Sequence, residues 1–275
     1  MQISFAELDR AIYCSKDTAG FHRSRSTADN IIALCSSILL GFHKKQYTIA
    51  VFIGIKGAFD NVNIHLLMSR LELLGIPTSF SRLIFCLFQS QDLYIKFNND
   101  YINRHSFTGV PQGCILSPNF SLLFIIYTNE MLNCLKNSTK LAYADDVAIV
   151  VNSKSLDEAT RTMQMELNEV GKWCHDNGLI INASKTKLMH IRSPRFPRSQ
   201  ITISPYKCSS LHNEDYVELV DTYKYLGITV DSHFLWEPHI NSLRIKLKSA
   251  LFALASLKYK STIEAEVNTL SGYYS

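Results

Sequence analysis

The sequence lacks several features that would each point to a particular class of protein. Its seven cysteines form no C-x-x-C pair, which argues against a zinc site and predicts reduced, buried thiols in an intracellular protein. No apolar run is long enough to span a bilayer, and the N-terminus has no apolar signal core. There is also no low-complexity tract and no internal repeat. We therefore expect a soluble protein of the cytoplasm or nucleus that does not contact a membrane.

Charge is sparse and only slightly unbalanced. Charged residues make up 19% of the 275 residues and hydrophobic residues 47%, which argues against extensive disorder and supports one large domain or two closely packed ones. The formal net charge is +4. This mild basic bias is compatible with binding to nucleic acid, but many proteins that bind none share it.

The hydrophobic pattern predicts helices and strands in mixed order. Helices are predicted over residues 28–42, 63–74, 78–90, 117–134, 155–177 and 238–258. Strands are predicted over residues 46–54, 92–97 and 104–107, over two runs between 140 and 151, and over short segments up to about 230. This order predicts an α+β fold with helices packed on one face of a sheet.

An acidic pair lies between two apolar runs, in the segment Tyr143-Ala144-Asp145-Asp146. The simple prediction is a strand–turn–strand hairpin with both carboxylates at its tip. Two adjacent carboxylates repel each other unless a cation lies nearby, and Mg²⁺ prefers such oxygen ligands. An ordinary acidic turn is the alternative, because aspartate favours turns. The pair alone does not separate a metal site from a turn.

Other segments give this turn a context. Upstream and downstream of Tyr-Ala-Asp-Asp-Val stand, in order, RSTADNI (25–31), IKGAFDNV (55–62), GVPQGCILSP (109–118), KTK (185–187) and YLG (225–227). Across nearly the whole chain these segments resemble the reverse transcriptases of non-LTR retrotransposons of the long-interspersed-element type. The resemblance implies an antiparallel palm sheet backed by helices, with partial fingers over 1–45, a palm over 46–230 and the start of a helical thumb over 231–275.

The same resemblance implies roles for individual residues. Asp145 and Asp146 match the Mg²⁺ ligands of a two-metal site, and the implied partners are an RNA template, a DNA primer and deoxynucleoside triphosphates. Lys185 matches a catalytic position near the leaving pyrophosphate. The remaining implied roles are contacts to the incoming nucleotide by Phe59, Gln112, Gly113, Arg23 and Arg25, and a primer grip at Tyr225, Leu226 and Gly227.

Several of these residues have a plainer interpretation. Phe59 matches the residue that rejects a ribose 2′-hydroxyl, but a core aromatic is the commoner fate of a phenylalanine. Lys185 is equally well a basic residue on an exposed edge. Basic residues after the palm either track a phosphate backbone or form a solvated helix face, and they are Arg244, Lys246, Lys248, Lys258 and Lys260.

The chain departs from the family pattern at the first catalytic strand. Once Ala58-Phe59-Asp60 is aligned, the metal-binding aspartate belongs at position 54, where this chain has Gly54. Asp60 lies six positions further on and is not that ligand. Glycine offers no side-chain oxygen, so preorganised stabilisation of the transferring phosphoryl group is lost. We expect polymerisation to be abolished or nearly so.

A second departure affects the fingers. After a first helix over 3–19 the chain passes directly to Gly20-Phe21, where the family has a sizeable fingers segment. The sequence therefore predicts a reverse transcriptase domain that is catalytically impaired. The alternatives are a non-catalytic nucleic-acid-binding remnant and a fragment of a decayed element. Restoring a carboxylate by Gly54→Asp should rescue primer extension if that side chain is the whole defect.

Overall fold

The structure is a computed structural model of the chain. It describes the backbone of residues 26–58, 61–88, 91–97, 100–106, 117–194, 199–204 and 216–271, and the side chains of 26–58, 61–86, 123–194, 199–204 and 216–256.

Helices and strands alternate along the described chain. The helices are α1 (Thr27–His43), α2 (Ile64–Leu73), α3 (Thr78–Phe88), α4 (Ser117–Asn133), α5 (Leu156–Asp176) and α6 (Glu237–Ser271). The strands are β1 (Tyr47–Lys56), β2 (Gln91–Phe97), β3 (Asp100–Ser106), β4 (Thr139–Tyr143), β5 (Asp146–Ser153), β6 (Ile180–Ile191), β7 (Glu218–Leu219), β8 (Thr222–Tyr225) and β9 (Ile228–Asp231). Among the described residues the predicted elements are confirmed to within a few residues, except that α6 continues well past residue 258. The predicted helix over 3–19 lies outside the described residues.

A five-stranded sheet organises the protein, in the order β4-β5-β1-β6-β7. Its pairs are antiparallel apart from the short β6–β7 contact. The central strand β1 is buried from Thr48 to Ile53. A strand in this position has neighbours on both edges and layers on both faces, which explains its continuous apolar run. Two hairpins, β2–β3 and β8–β9, pair outside this sheet.

Helices cover both faces of the sheet, so the prediction that they pack on one face is wrong. Alternate residues of β1 point to opposite sides. Ile49 and Val51 pack in a large core with side chains of α2, α4 and α5. Ala50 and Phe52 pack in a second core with α1 and the β8–β9 hairpin. The continuous apolar run of β1 could have indicated that both faces of the sheet are covered.

The first helix is covered on one side only. Leu34 and Ile38 of α1 are fully buried against the sheet, while Ile32 and Leu39 are more than half exposed. The N-terminus of α1 is closed by a capping box between Ser26 and Asp29. Helix α1 therefore packs on the sheet through a single face.

One carboxylate makes several of the hydrogen bonds at the junction between the β8–β9 hairpin and α6. Asp231, at the end of β9, is 6% exposed. It accepts backbone N–H hydrogen bonds from His233 at 3.1 Å, Leu235 at 3.1 Å and Trp236 at 2.7 Å. These bonds satisfy donors just before the helix begins. Together with the hydrogen bond from the Thr229 N–H to His239 Nδ1, at 3.4 Å, they orient the start of α6 relative to the hairpin.

Candidate active site at the carboxylate turn

A two-residue turn carries the acidic pair. Tyr143 pairs with Asp146 across the β4–β5 hairpin, so Ala144 and Asp145 form the loop between the strands. Ala144 has φ +55°, in the left-handed region that costs a residue with a Cβ about 1 kcal/mol. The turn is held in that conformation by the strands on either side. The predicted hairpin with carboxylates at its tip is thus present.

The turn forms one wall of a cleft of about 300 Å³, near the last residues of the central strand β1 and the first residue of β5. Strands β1, β5, β6 and β8 and the turn contribute its lining. The lining residues are Gly54, Ile55, Asp145, Asp146, Ser184, Lys185, Lys187 and Tyr223. The fold therefore brings Gly54, the acidic pair and Lys185 together from three segments that are spread over more than 130 residues of sequence.

Asp146 lies in an unfavourable electrostatic environment for a carboxylate. Desolvation raises its pKa, and the charge of Asp145 raises that pKa further, whereas the ammonium of Lys185 lowers it. A group that stays anionic here gains from any added positive charge. The cleft thus favours a cation beside the pair, and Lys185 already supplies one.

Strand β6 departs from regular pairing where it faces Gly54. Phe52 pairs with Lys187, but Gly54 pairs with Asn182. Residues 183–186 of β6 therefore form a bulge that has no paired residues on β1. The Gly54 N–H donates to Thr186 Oγ1 at 3.3 Å, and Thr186 Oγ1 donates to the Asn182 carbonyl at 2.8 Å. A Cβ added to Gly54 would lie 2.6 Å from the Cβ of Lys185.

Tyr223 is a cleft residue that the sequence did not identify. Its ring stacks on Phe52, with centroids 4.4 Å apart and planes 17° apart. Burial raises the pKa of its phenol, and the charge of Asp146 raises it further. A tyrosine two positions before the predicted primer grip gave no motif of its own. The position of Tyr223 could have been inferred from the sequence, through the alternation of side chains along β8, which places Tyr223 on the side that faces the cleft.

The predicted primer grip forms the β8–β9 turn. Tyr225 pairs with Ile228, and the two loop residues Leu226 and Gly227 have φ +46° and +86°. Two positive φ values in a two-residue loop are typical of a type I′ hairpin. Tyr225 is 2% exposed and its ring lies 5.4 Å from that of Phe52. Its side chain belongs to the core, and only the turn is presented at the surface.

The donor set does not fit a centre for two metal ions. Two-metal phosphoryl-transfer sites hold both cations with several oxygen ligands. Here the cleft offers Asp145 and Asp146, and position 54 offers no side-chain oxygen. Within the part of the chain that the structure describes, no group of three or more His, Cys, Asp or Glu side chains could hold a metal ion.

Five predicted site residues and two basic positions lie where the structure gives no side-chain account. Phe59, Gln112, Gly113, Arg23 and Arg25 are outside the described residues, as are the side chains of Lys258 and Lys260. On α6, Arg244 and Lys248 are one turn apart, while Lys246 lies on the opposite side of the helix. All three are exposed.

Comparison with known proteins fits this geometry. Residues 6–230 match the family "Reverse transcriptase (RNA-dependent DNA polymerase)". The chain belongs to the reverse transcriptase family. More narrowly, it is a reverse transcriptase domain of the type found in the RNA-directed DNA polymerases of non-LTR retrotransposons.

The curated relatives are insect mobile elements. The chain is 29% identical over 231 residues to a probable RNA-directed DNA polymerase from transposon BS of Drosophila melanogaster, with 81% of this chain and 24% of the relative covered. It is 28% identical to the RNA-directed DNA polymerase from mobile element jockey of Drosophila funebris, covering 89% of this chain and 26% of that protein. The chain thus spans about a quarter of the length of these relatives.

Solved structures agree on the fold. An apo telomerase from Candida Tropicalis, truncated from its C-terminal domain, matches with a TM-score of 0.55 at 12% identity, covering 85% of this chain and 43% of that one. A telomerase from Candida albicans in complex with a fragment of telomeric RNA matches with a TM-score of 0.52 at 13% identity, covering 83% of this chain and 37% of that one. The α+β palm architecture is therefore confirmed. No helix among the described residues is long and apolar enough to cross a membrane.

Proposed function

We propose that this domain binds an RNA template and a DNA primer as a reverse transcriptase palm does, and that its polymerase chemistry is impaired at Gly54. The cleft carries the proposal, because it combines the Asp145–Asp146 turn with a glycine at the facing position of β1. Reverse transcriptases as a family use divalent metal ions and nucleic-acid substrates. In this chain Asp145 and Asp146 are the proposed ligands for Mg²⁺, and the set is one carboxylate short of a two-metal centre.

The other predicted residues take proposed roles around this cleft. Lys185 is proposed to sit beside the phosphates of a bound nucleotide, and the turn at Leu226 and Gly227 to contact the primer. Phe59, Gln112, Gly113, Arg23 and Arg25 are proposed contacts to the incoming nucleotide. Proposed boundaries are partial fingers over 1–45, a palm over 46–230 and the start of a thumb over 231–275, with α1 packing directly on the palm sheet.

Two measurements on the 275-residue chain test this function. The first is binding of a fluorescent RNA–DNA template–primer by anisotropy at several salt concentrations. We expect binding that weakens steeply as salt rises, because phosphate contacts release counterions. The second is extension of an oligo-dT primer on poly-A with Mg²⁺. We expect no extension above that of a matched Asp145→Asn/Asp146→Asn control.

The two outcomes separate the parts of the proposal. No template–primer binding at low salt would overturn the assignment of the palm surface. Extension by the unaltered chain well above the double-Asn control would show that a carboxylate at position 54 is not required, and the impairment would be wrong.

A further inference from the structure

We propose that a cavity at the start of β1 binds an unpaired nucleotide of a single-stranded nucleic acid, as a contact separate from the carboxylate cleft. The cavity has a volume of about 850 Å³ and lies between α1, the start of β1, the end of β6 and the segment that leads into α6. This volume is typical of ligand pockets. None of its described lining residues is shared with the cleft.

The cavity and the cleft lie at opposite ends of β1. Tyr47, the first residue of the strand, lines the cavity, whereas Gly54 lines the cleft. A separation of seven strand residues corresponds to about 23 Å at 3.3 Å per residue. A nucleotide in the cavity is therefore a different nucleotide from one held beside the carboxylate turn, and this contact goes beyond the proposed function of the cleft.

Three aromatic side chains line the cavity. Phe42 and Phe234 are partly buried and meet edge to face, with ring centroids 6.4 Å apart. Tyr47 stacks on His190 with one face of its ring and is still 43% exposed, so a second ring can pack against it. Exposed aromatic rings bind unpaired bases by stacking, because every base presents a π-face.

The charged side chains among the described lining residues are both basic. Lys45 is exposed, and the Arg192 side chain is 9% exposed. Asp221 lies 3.8 Å from Arg192 Nη1 and balances part of its charge, but Asp221 is not among the described lining residues. This charge pattern favours an anionic ligand. The exposed ammonium of Lys45 suits a phosphate that remains in contact with solvent.

Two buried polar atoms of the lining residues have no hydrogen-bond partner among the described residues. They are Arg192 Nε and His190 Nδ1. Arg192 Nη1, by contrast, donates to the His190 carbonyl at 3.2 Å. A buried donor without an acceptor costs free energy, and the edges of nucleobases carry ring-nitrogen and carbonyl acceptors. A base stacked in the cavity therefore offers the guanidinium an acceptor that the described residues do not supply.

A pair of double variants tests the site. Lys45→Gln/Tyr47→Ala, the cavity variant, removes the exposed cation and the exposed ring. Lys44→Gln/Tyr216→Ala is the matched control, because Lys44 and Tyr216 are exposed but are not among the lining residues. Fluorescent RNA and DNA strands of about ten unpaired nucleotides are titrated with each chain and followed by anisotropy.

We expect the cavity variant to bind the unpaired strands at least about fivefold more weakly than the unaltered chain, because stacking on an aromatic ring is lost. The control should change affinity by less than about twofold. Tyr47→Phe keeps the ring and should also stay within about twofold, which separates lost stacking from lost folding. The strand that the unaltered chain binds more tightly identifies RNA or DNA as the source of the nucleotide.

Trp236 gives a signal from the cavity itself. Its ring lies 4.8 Å from that of Phe234, and Trp173 is the other tryptophan of the chain. In the Trp173→Phe chain we expect the emission of Trp236 to change when the unpaired strand binds, because a base then lies close to Phe234. The two substitutions of the cavity variant, Lys45→Gln and Tyr47→Ala, should remove that change in the same background.

Equal affinity of the cavity variant and its control for the unpaired strands would overturn the proposal, and so would Trp236 emission that the strands leave unchanged. Dodecanoate serves as a probe for an apolar anion in calorimetric titrations. Dodecanoate binding that only the cavity variant loses, with the unpaired strands bound equally by all chains, would assign the cavity to an apolar anion instead.

Failure of this proposal is distinguishable from failure of the proposed function. A fully paired RNA–DNA hybrid has no unpaired nucleotide and reports on the palm surface alone. Loss of unpaired-strand binding in the cavity variant, together with no hybrid binding by the unaltered chain, would leave the cavity assignment standing and refute the palm function. Hybrid binding together with equal unpaired-strand affinities would do the reverse.

Discussion

His190 is a buried residue whose protonation is coupled to folding. It is 3% exposed in β6, and burial, helped by the charge of Arg192, lowers its pKa to about 4. Its ring stacks on Tyr47 with centroids 6.5 Å apart, and its Nδ1 has no hydrogen-bond partner among the described residues. The folded protein therefore holds this imidazole neutral at pH values where an unfolded chain would protonate it.

The sign of the pH effect follows from that difference. Between the unfolded pKa near 6.5 and the folded value of about 4, the unfolded state binds more protons, so stability rises with pH. The contribution is complete above about pH 6.5 and is lost as pH falls towards 4, with a maximum of roughly 3 kcal/mol. We expect His190→Gln to flatten this part of the profile of unfolding free energy against pH.

Urea unfolding at a series of pH values measures this dependence of the unfolding free energy on pH. His175→Gln is the matched control, because His175 is exposed at the end of α5. If both variants keep the slope of the unaltered chain between pH 4 and 6.5, His190 is not its source.

The candidate site was predictable where chemistry is local in sequence. Adjacent aspartates between apolar runs predicted the hairpin tip, and the structure has it. The close contact between Gly54 and Lys185 was not predictable, because the apolar patterns of β1 and β6 do not set the register between them. Phe52 pairs with Lys187 but Gly54 pairs with Asn182, and nothing in the sequence indicates this three-residue shift.

At the scale of elements, the β8–β9 hairpin depends on its two-residue loop. Gly227 has φ +86° with open space around it, so only backbone strain opposes a side chain there. We expect Gly227→Ala to cost about 1 kcal/mol of unfolding free energy. Leu226, at φ +46°, is already strained, so Leu226→Gly should be neutral or slightly stabilising although it loses the leucine's packing.

Chemical unfolding of both variants against the parent gives the comparison. A loss on Leu226→Gly as large as that on Gly227→Ala would mean that packing of Leu226, not backbone conformation, dominates this loop. Template–primer binding measured on the same samples reports separately on the proposed primer contact.

The periodicity of the sequence predicted the end of the last helix too early. The final helix was predicted over 238–258 because apolar and basic residues repeat there, yet α6 runs to Ser271. Residues 259–271 contain no proline or glycine, and Gly272 follows directly. The absence of a helix breaker was the better signal, and the amphipathic pattern was the weaker one, since most described apolar residues of α6 are exposed.

At the scale of the molecule, the two cores share strands and should unfold together. The two tryptophans of the chain report on them separately, since Trp173 belongs to the α5 core and Trp236 packs against the α1 core. Because β1 and β5 place alternate side chains in each core, loss of one layer exposes the other. We expect the fluorescence transition of Trp173→Phe and that of Trp236→Phe each to coincide with the circular dichroism transition of the same variant.

Because fluorescence and circular dichroism are compared within the same variant, the loss of stability caused by the substitution affects both midpoints equally. A fluorescence midpoint that precedes the circular dichroism midpoint in either variant would mean that one face melts while the sheet persists.

The Asp231 junction has a mechanical consequence. A helix of 35 residues is about 52 Å long at 1.5 Å per residue, and all of that length follows the three N–H bonds to a single carboxylate. A small rotation at the start of the helix is therefore amplified into a large displacement at its end. A rotation of about 5° at Asp231 would carry the last turn of α6 through about 5 Å, which is close to one helical turn. The position of that distant end is thus sensitive to small changes at Asp231, a side chain that is itself almost completely buried.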